Sequence, residues 1–403
     1  MIKRKVIVLG GGTFQHIRNH LSLAAPAFGT TAEYLHSKLP NSKLVLTKMA
    51  DSNSKLITNE DVDSYLTSIL DDYEIGTIIL NVAFCDYGAR PLDGVSNGPH
   101  SKRFNSSEEA PSLQLVPKQK IISKIRKYRP DIFLVGFKTT TGLDKEQQFL
   151  RALKMMKSVK CNLVFANDVV TRNNMIITAE ESIYGDSPDR NFSLDSLVEM
   201  INMRADLTYT HSNWIQDDST KLEGNTPFNF QKVLRFLIDN GGFIENNSNG
   251  FTPGHFCYRT GPNTFLSSQR KANHNLVFVE GISKVSVNKN GEFTVIGKRK
   301  ASVGARSQWL MLEKYSSEGY DCIVHTHNSL KDDSKVHSIP QKPFQCGSLE
   351  CGMNTLNGLK DYGPVKAVFL EKHGINILFK SETHYDHVIN FIKKNIKLGE
   401  KVR

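Results

Sequence analysis

The feature that most constrains this chain is a rhythm in its first half: short, nearly continuous apolar runs recur, each followed by a stretch with helical spacing. The runs fall at residues 5–9, 43–47, 76–82, 132–137 and 162–166, with amphipathic segments such as 57–71 and 121–128 between them. Strands that are apolar on both faces are buried on both faces, and helices are the usual connection between parallel neighbours. The rhythm therefore predicts a Rossmann-like, doubly wound parallel sheet of α/β class. Helical spacing continues over 144–157 and 193–203, the latter with Ser193-Leu194-Asp195 as its cap.

At 403 residues the chain exceeds the size at which one core usually stops growing, so two domains are expected. The polar stretch 208–225 marks the boundary, which gives a first domain over 1–215 and a second over 226–403. The second opens with a helix over 227–240, Pro227 suiting its first turn and Gly241-Gly242 ending it. Asn288-Lys289-Asn290-Gly291, between strands 284–287 and 292–296, predicts a hairpin, and a helix over 308–315 precedes the next apolar run.

Charged residues are 23% and hydrophobic residues 39% of the chain, the balance of a soluble globular protein. No apolar stretch approaches the roughly 20 residues that span a bilayer, which argues against a membrane protein. Met1-Ile2-Lys3-Arg4-Lys5 and the apolar run after it look superficially like a secretory leader. The run is too short, however, and ends in glycines, so a cytoplasmic first strand is expected. Six cysteines without C-x-x-C spacing fit reduced thiols better than disulfides or a zinc finger. The net charge of +10 is dispersed, without a basic run interleaved with aromatics, so small phosphates are favoured over nucleic acid as partners.

Cys322-Ile323-Val324-His325-Thr326-His327 places two histidines one residue apart at the end of an apolar run. In a strand, residues i and i+2 share a face, so both rings can reach one ion. His373, at the edge of the strand-like segment 366–379, offers a third imidazole. Three neutral imidazoles with one position left open describe a catalytic zinc site. His255 and His274 could line a cleft but read more readily as ordinary polar loop residues, His211 beside Trp214 as uninvolved, and Tyr87 equally as a core aromatic.

Gly10, Gly11 and Gly12, followed by Thr13, stand directly after the first strand, where glycines let backbone approach a phosphate or simply make a tight strand-to-helix turn. An acid and an aromatic, Asp86-Tyr87, follow the third strand; Gly136-Phe137 and Ala166-Asn167-Asp168 close two later ones. With Phe14 through Gly29, which contains Asn19, these pieces resemble, in order, phosphopantothenoylcysteine synthetase (phosphopantothenate–cysteine ligase) over about residues 5–205. The resemblance implies a Rossmann-like fold and a ligase that uses CTP, or ATP, with Mg2+ to activate a carboxylate as an acyl-nucleotide for attack by an amine. It implies that Asn19 steadies the intermediate, that Asp86, Phe137 and Asn167 line the nucleotide site, and that Lys102, in the polar loop 101–109, closes on phosphate. Lys157 and Lys160 match the family's basic residues and would neutralise triphosphate charge. The chain departs from the family where His20–Gly29 replaces its Ser-Ser-Gly-Lys-Met-Gly stretch and Gly88 replaces an arginine.

Residues of about 228–400 resemble the class II aldolase/adducin family, through Val324-His325-Thr326-His327, Glu371-Lys372-His373-Gly374, Ile339-Pro340 and Phe265-Leu266-Ser267-Ser268. The resemblance implies a second α/β domain with His325, His327 and His373 as Zn2+ ligands and Ser267 and Ser268 as a substrate phosphate loop. The ion would act as a Lewis acid on a ketose-phosphate carbonyl. Catalytic members carry a glutamate where Gln308 stands here, and an amide cannot shuttle protons.

The sequence thus predicts a bifunctional, cytoplasmic, homo-oligomeric biosynthetic enzyme: a nucleotide-dependent carboxylate–amine ligase fused to a zinc-dependent aldolase-like domain acting on a small phosphorylated carbonyl compound. Two alternatives stand beside it. Either the zinc domain alone is catalytic, as a lyase, epimerase or dehydratase, or the C-terminal half is a non-catalytic interaction module of adducin type.

Overall fold

A computed structural model describes residues 4–93, 95–105, 112–246, 250–340 and 342–402. Residues 1–3 of the basic start and 106–109 of the predicted polar loop lie outside the described residues. The chain forms two compact units, Met1–Asp206 and Leu207–Arg403.

The first unit begins with β1 (Lys5–Arg18), β2 (Leu21–Ala25), α1 (Thr30–Lys38), β3 (Ser42–Leu46), α2 (Asn59–Ile69) and β4 (Ile75–Ala83). A ribbon of β5 (Tyr87–Pro91) and β6 (Leu113–Pro117) precedes α3 (Ile122–Tyr128), β7 (Phe133–Thr140), α4 (Lys145–Val159) and β8 (Leu163–Asp168). It closes with β9 (Asn174–Thr178), β10 (Ile183–Ser187) and α5 (Arg190–Arg204). The parallel order is β3-β1-β4-β7-β8, so the chain winds to one side of β1 and then to the other. Alternate side chains of the central strands serve opposite faces. Val8 and Phe165 pack with Leu35 of α1 and Leu194 of α5, while Ile78 and Leu134 pack with Leu66 of α2, Ile125 of α3 and Leu153 of α4. Each such side chain, fully buried, contributes about 1.5–3 kcal/mol. The predicted doubly wound sheet is present, with antiparallel additions: β9 and β10 extend one edge, and β2 runs back along the far half of β1.

Two local expectations are corrected. The helix expected at 193–203 begins at Arg190, capped by Asp189, whose carboxylate accepts from Asn191 N at 2.9 Å; Ser193 is buried one turn inside. The glycines make no strand-to-helix turn, because β1 runs through Gly10–Gly12 to Arg18. A Cβ on Gly12 would overlap the Ala25 carbonyl oxygen and lie 2.7 Å from Ala27 N, so this glycine lets the chain's own returning segment press against β1.

A buried arginine ties two connections of this unit together. Arg129 donates to Asp131 at 2.8 and 2.9 Å, to Leu70 O at 2.7 Å and to Ile75 O at 3.0 Å. Hydrogen bonds from Arg129, reinforced by Arg4 and opposed by partial burial, hold the Asp131 carboxyl well below the usual carboxylate range. A carboxyl depressed in the folded state stabilises it above its unfolded value, about 3.9, and loses that contribution as pH falls towards the folded value. The thermal midpoint is expected to drop as the solution is acidified below about pH 4, and to drop less steeply in Asp131→Asn. Parallel acid slopes for the two proteins in pH-dependent melts would refute this.

The second unit contains β11 (Ser212–Gln216), α6 (Phe228–Asp239), β12 (His255–Gly261), β13 (Thr264–Ser267), α7 (Val277–Glu280), β14 (Ser283–Val287) and β15 (Phe293–Gly297). There follow α8 (Ala305–Lys314), β16 (Cys322–Thr326), β17 (Asn328–Leu330), β18 (Ser338–Ile339) and α9 (Leu349–Gly358). The chain ends with β19 (Lys360–Asp361), β20 (Val365–Leu370), β21 (Gly374–Phe379), α10 (Tyr385–Asn395) and β22 (Ile396–Lys401). The main sheet has the order β11-β15-β14-β13-β12-β16-β21-β20-β18 and is largely antiparallel. Phe230 of α6 and Ile392 of α10 pack with Val324 and Ile377 on one face; Trp309 and Leu312 of α8 pack with Ile323 and Leu378 on the other.

The polar stretch expected to be a linker belongs to this unit: β11 pairs in parallel with β15, Trp214 opposite Val295, and the division falls after Asp206 instead of at 208–225. The segment 366–379, read as one strand, is a hairpin of β20 and β21 turning at Glu371–His373.

Candidate functional site

The two histidines of the H-x-H run lie at the end of β16, and the β20–β21 turn brings His373 to them. Ring centroids are 4.9 Å apart for His325–His327, 5.1 Å for His325–His373 and 4.7 Å for His327–His373. One nitrogen from each ring lies within 4.8 Å of the others. Gly374 has φ 128°, and a Cβ there would overlap the Thr326 carbonyl oxygen, so only glycine lets the turn carrying His373 close on β16.

The ring of His325 is fixed by its backbone partner. Its Nδ1 lies 2.8 Å from Ile375 O, and a carbonyl can only accept, so Nδ1 carries the proton. The lone pair is then on Nε2, which is buried and has no hydrogen-bond partner. Burial first, and the neighbouring imidazoles second, push His325 and His327 well below the ordinary histidine range. Neutral, convergent nitrogens with an unmet acceptor are what a divalent cation such as zinc requires, so these residues fit one.

A fourth ring stands against the trio. His255 opens β12 directly opposite His325, the rings 4.7 Å apart, and burial lowers its pKa to about 3. It is not the loop residue expected from sequence; its one sequence signal was its place at the head of the apolar run Phe256-Cys257-Tyr258, mirroring the histidines that end Cys322–His327. Nor is His274 a loop residue: it is buried edge-on to Phe243 and Phe256, its Nε2 3.0 Å from Gly254 O, with its pKa lowered by burial to about 4.

Gln308 stands behind His255, fully buried. Its Nε2 donates to Phe256 O at 3.3 Å and to His255 Nδ1 at 3.0 Å, while its Oε1 accepts from Ser267 at 2.8 Å. The Phe256 carbonyl fixes which end of the amide is which, and His255 must then accept at Nδ1 and keep its proton on Nε2. In that tautomer His255 has no lone pair at Nε2, and it is not among the three residues whose ring nitrogens converge. Ser267 and Ser268 are not an open phosphate loop. Both are fully buried, Ser267 donating to Gln308 and Ser268 Oγ accepting from Phe256 N at 3.2 Å.

In the first unit, the crevice expected beyond the carboxyl ends of β1 and β4 is floored by the chain's own polar groups. Thr13 Oγ1 donates to Asn59 Oδ1 at 2.7 Å and accepts from Cys85 N at 3.0 Å. Asp86 is exposed just past β4; Phe137 packs against Phe165 at 5.5 Å, and Asn167 accepts from Thr139 at 3.2 Å. Asn19 donates to Pro99 O at 3.1 Å, and its backbone N donates to Ser101 O at 3.2 Å, so it anchors the loop bearing the exposed Lys102. Arg18, unremarked in the sequence, grips the start of the same loop through Asp93 at 2.7 and 2.8 Å.

Lys157 and Lys160 do not belong to this crevice. They lie at the last turn and C-cap of α4, which runs back to the amino end of β8, and Lys157 pairs with Glu181 at 2.6 Å in the turn beyond β9. Parallel strands separate that edge from Asp86 and Asn167 by their full length.

No family model matches the chain. The "Coenzyme A biosynthesis bifunctional protein CoaBC" of Methanocaldococcus jannaschii is 25% identical over 174 residues, 41% of this chain and 40% of that protein. Its counterpart in Thermococcus kodakarensis is 25% identical over 173 residues, 41% of each. The chain thus spans about two fifths of the length of the curated relatives it matches. Among solved structures, the DNA/pantothenate metabolism flavoprotein of Streptococcus pneumoniae is 22% identical, covering 49% of this chain and 98% of that one, with a TM-score of 0.41. L-fuculose-1-phosphate aldolase from Thermus thermophilus is 17% identical, covering 41% and 88%, with a TM-score of 0.29. In sequence, about two fifths of the chain is thus similar to part of the CoaBC proteins.

Proposed function

We propose that the chain is a two-part biosynthetic enzyme: a nucleotide-dependent carboxylate–amine ligase in the first unit and a metal-dependent lyase of class II aldolase type in the second. The observation that carries the second part is the convergence of three imidazoles, two of them kept neutral by burial and one with a buried, unpartnered Nε2. The first part leans on the 25% identity to the CoaBC proteins, together with a switch point between β1 and β4 where such sheets bind ligands.

In the ligase reading, a carboxylate displaces pyrophosphate from CTP or ATP held with Mg2+, and an amine then displaces the nucleoside monophosphate. Asn19 holds the loop of Lys102 so that its ammonium can meet phosphate oxygens, and Asp86 faces the nucleotide from the end of β4. In the second unit His325, His327 and His373 would hold zinc, which supplies Lewis acidity towards a carbonyl oxygen. His325 is oriented by Ile375 O, and His255, locked as the Nε2–H tautomer by Gln308, presents a neutral ring beside the trio. A cytoplasmic homo-oligomer taking small phosphorylated or carboxylate substrates completes this reading; among the described residues no helix is long and apolar enough to cross a membrane.

Gln308 favours a second reading, in which the C-terminal unit binds metal and an anionic ligand without proton transfer, as an adducin-like module does. The amide cannot ionise, and its hydrogen-bonding groups are spent internally. Full zinc occupancy without turnover of any phosphorylated ketose would select this reading.

The ligase part is tested by pyrophosphate release. CTP or ATP, with Mg2+ and a panel of carboxylates and amines that includes 4′-phosphopantothenate with cysteine, is expected to yield one pyrophosphate per product. Silence with every nucleotide would sink the ligase assignment.

A further inference from the structure

Beyond the carboxyl end of β8 the first unit has a cleft of about 420 Å³ lined in part by Asn167, Asp168, Arg172, Asn174 and Arg190. Arg190, first residue of α5, is half-buried. Its Nη2 donates to Thr31 Oγ1 at 3.0 Å and its Nη1 lies 3.4 Å from Asn174 Oδ1, with the guanidinium 5.4 Å over the Phe165 ring. A guanidinium has five N–H donors, so most of its capacity is uncommitted. Among the described residues neither Arg190 nor Arg172 has a carboxylate within ion-pair distance.

The acids nearby are turned away. Asp168 accepts from the amides of Gly142, Leu143, Val170 and Thr171 and from the Thr140 hydroxyl, at 2.8–3.1 Å. Asp189 accepts from Asn191 N and Phe192 N at the head of α5. Two arginines set against one fully solvated-by-protein carboxylate leave the cleft positive, and burial of Arg190 strips water from a charge that protein does not neutralise. Thr31 sits in the first turn of α1. A planar guanidinium with uncommitted donors at the rim of a positive cleft matches the oxygens of a phosphate group.

We propose that Arg190 and Arg172, with Thr31 and Asn174 holding the first in place, form a subsite for a phosphate group of a substrate. Its source is either the polyphosphate tail of the nucleotide or the phosphomonoester of the acid; only that choice rests on the ligase reading. The subsite itself is independent of turnover.

The full-length chain is titrated calorimetrically with inorganic pyrophosphate, then with CTP, ATP and 4′-phosphopantothenate. Pyrophosphate is expected to bind, and Arg190→Gln to weaken it roughly 10- to 100-fold, the loss of a charge-assisted contact. Arg190→Lys, which keeps the charge, is expected to retain part of the affinity. Arg172→Gln, at an exposed position, should weaken binding by a smaller factor and decides the matter if Arg190→Gln does not fold. Competition of pyrophosphate with a nucleotide identifies the tail as the source, and competition with 4′-phosphopantothenate alone identifies the acid. Unchanged pyrophosphate affinity in the folded glutamine variants, or no binding to the wild type, overturns the subsite. If pyrophosphate binding depends on Arg190 while no nucleotide is ever cleaved, the subsite stands and the ligase reading falls.

Discussion

Replacing His325 by alanine is expected to strip the second unit of its divalent metal. After loading with zinc and dialysis, the wild type should carry about one ion per chain and the variant close to none. The expectation follows from the ring's position: its Nδ1 is committed to Ile375 O, and its Nε2 is buried with no protein partner. Loss of even an outer-shell partner of a metal ligand costs roughly 10- to 100-fold in affinity, and loss of a ligand exceeds that. His274→Ala is the control, because His274 is as buried but bonds to Gly254 O outside the trio. Elemental analysis of the three proteins decides the matter. A wild type that holds no transition metal, or a His325→Ala protein that holds as much, ends the metal assignment.

Gly12→Ala is expected to lower the stability of the first unit by about 3 kcal/mol, near the upper range for overpacking. The new methyl would overlap the Ala25 carbonyl oxygen, a backbone atom that cannot swing aside as a flexible side chain can. For a unit of this size the thermal midpoint should fall by roughly 6–12 °C, with or without nucleotide present. A variant that melts like the wild type but has lost nucleotide affinity would restore these glycines to the phosphate-binding role that their place after a strand first suggested.

The glycines illustrate what could and could not be read from the sequence. Apolar runs and helical spacing located the five parallel strands of the first unit, because burial on both faces leaves a one-dimensional signature. The trio of histidines was equally legible, since two share a strand end and the third precedes a glycine that permits the tight turn. What failed depended on pairing across long separations. Ser267 and Ser268 looked like an exposed phosphate loop, yet Ser267 ends the interior strand β13, Ser268 follows it, and both are fully buried. Lys157 and Lys160 seemed close to Asn167 along the chain, but they stand at the opposite end of the strand that separates them. The polar run 208–225 read as a linker because β11 is an edge strand with little apolar content. Nothing in the sequence aligns His255, which reads more readily as a loop residue than as a cleft one, with His325; the register of β12 on β16 does so.

The wiring of Gln308 limits what an acid could do in its place. A glutamate set there alone would turn a carboxylate oxygen towards the Phe256 carbonyl and leave His255 Nδ1 facing an acceptor unless that ring moved its proton. Proton transfer from this position would therefore need the strand beneath the helix re-patterned together with the side chain.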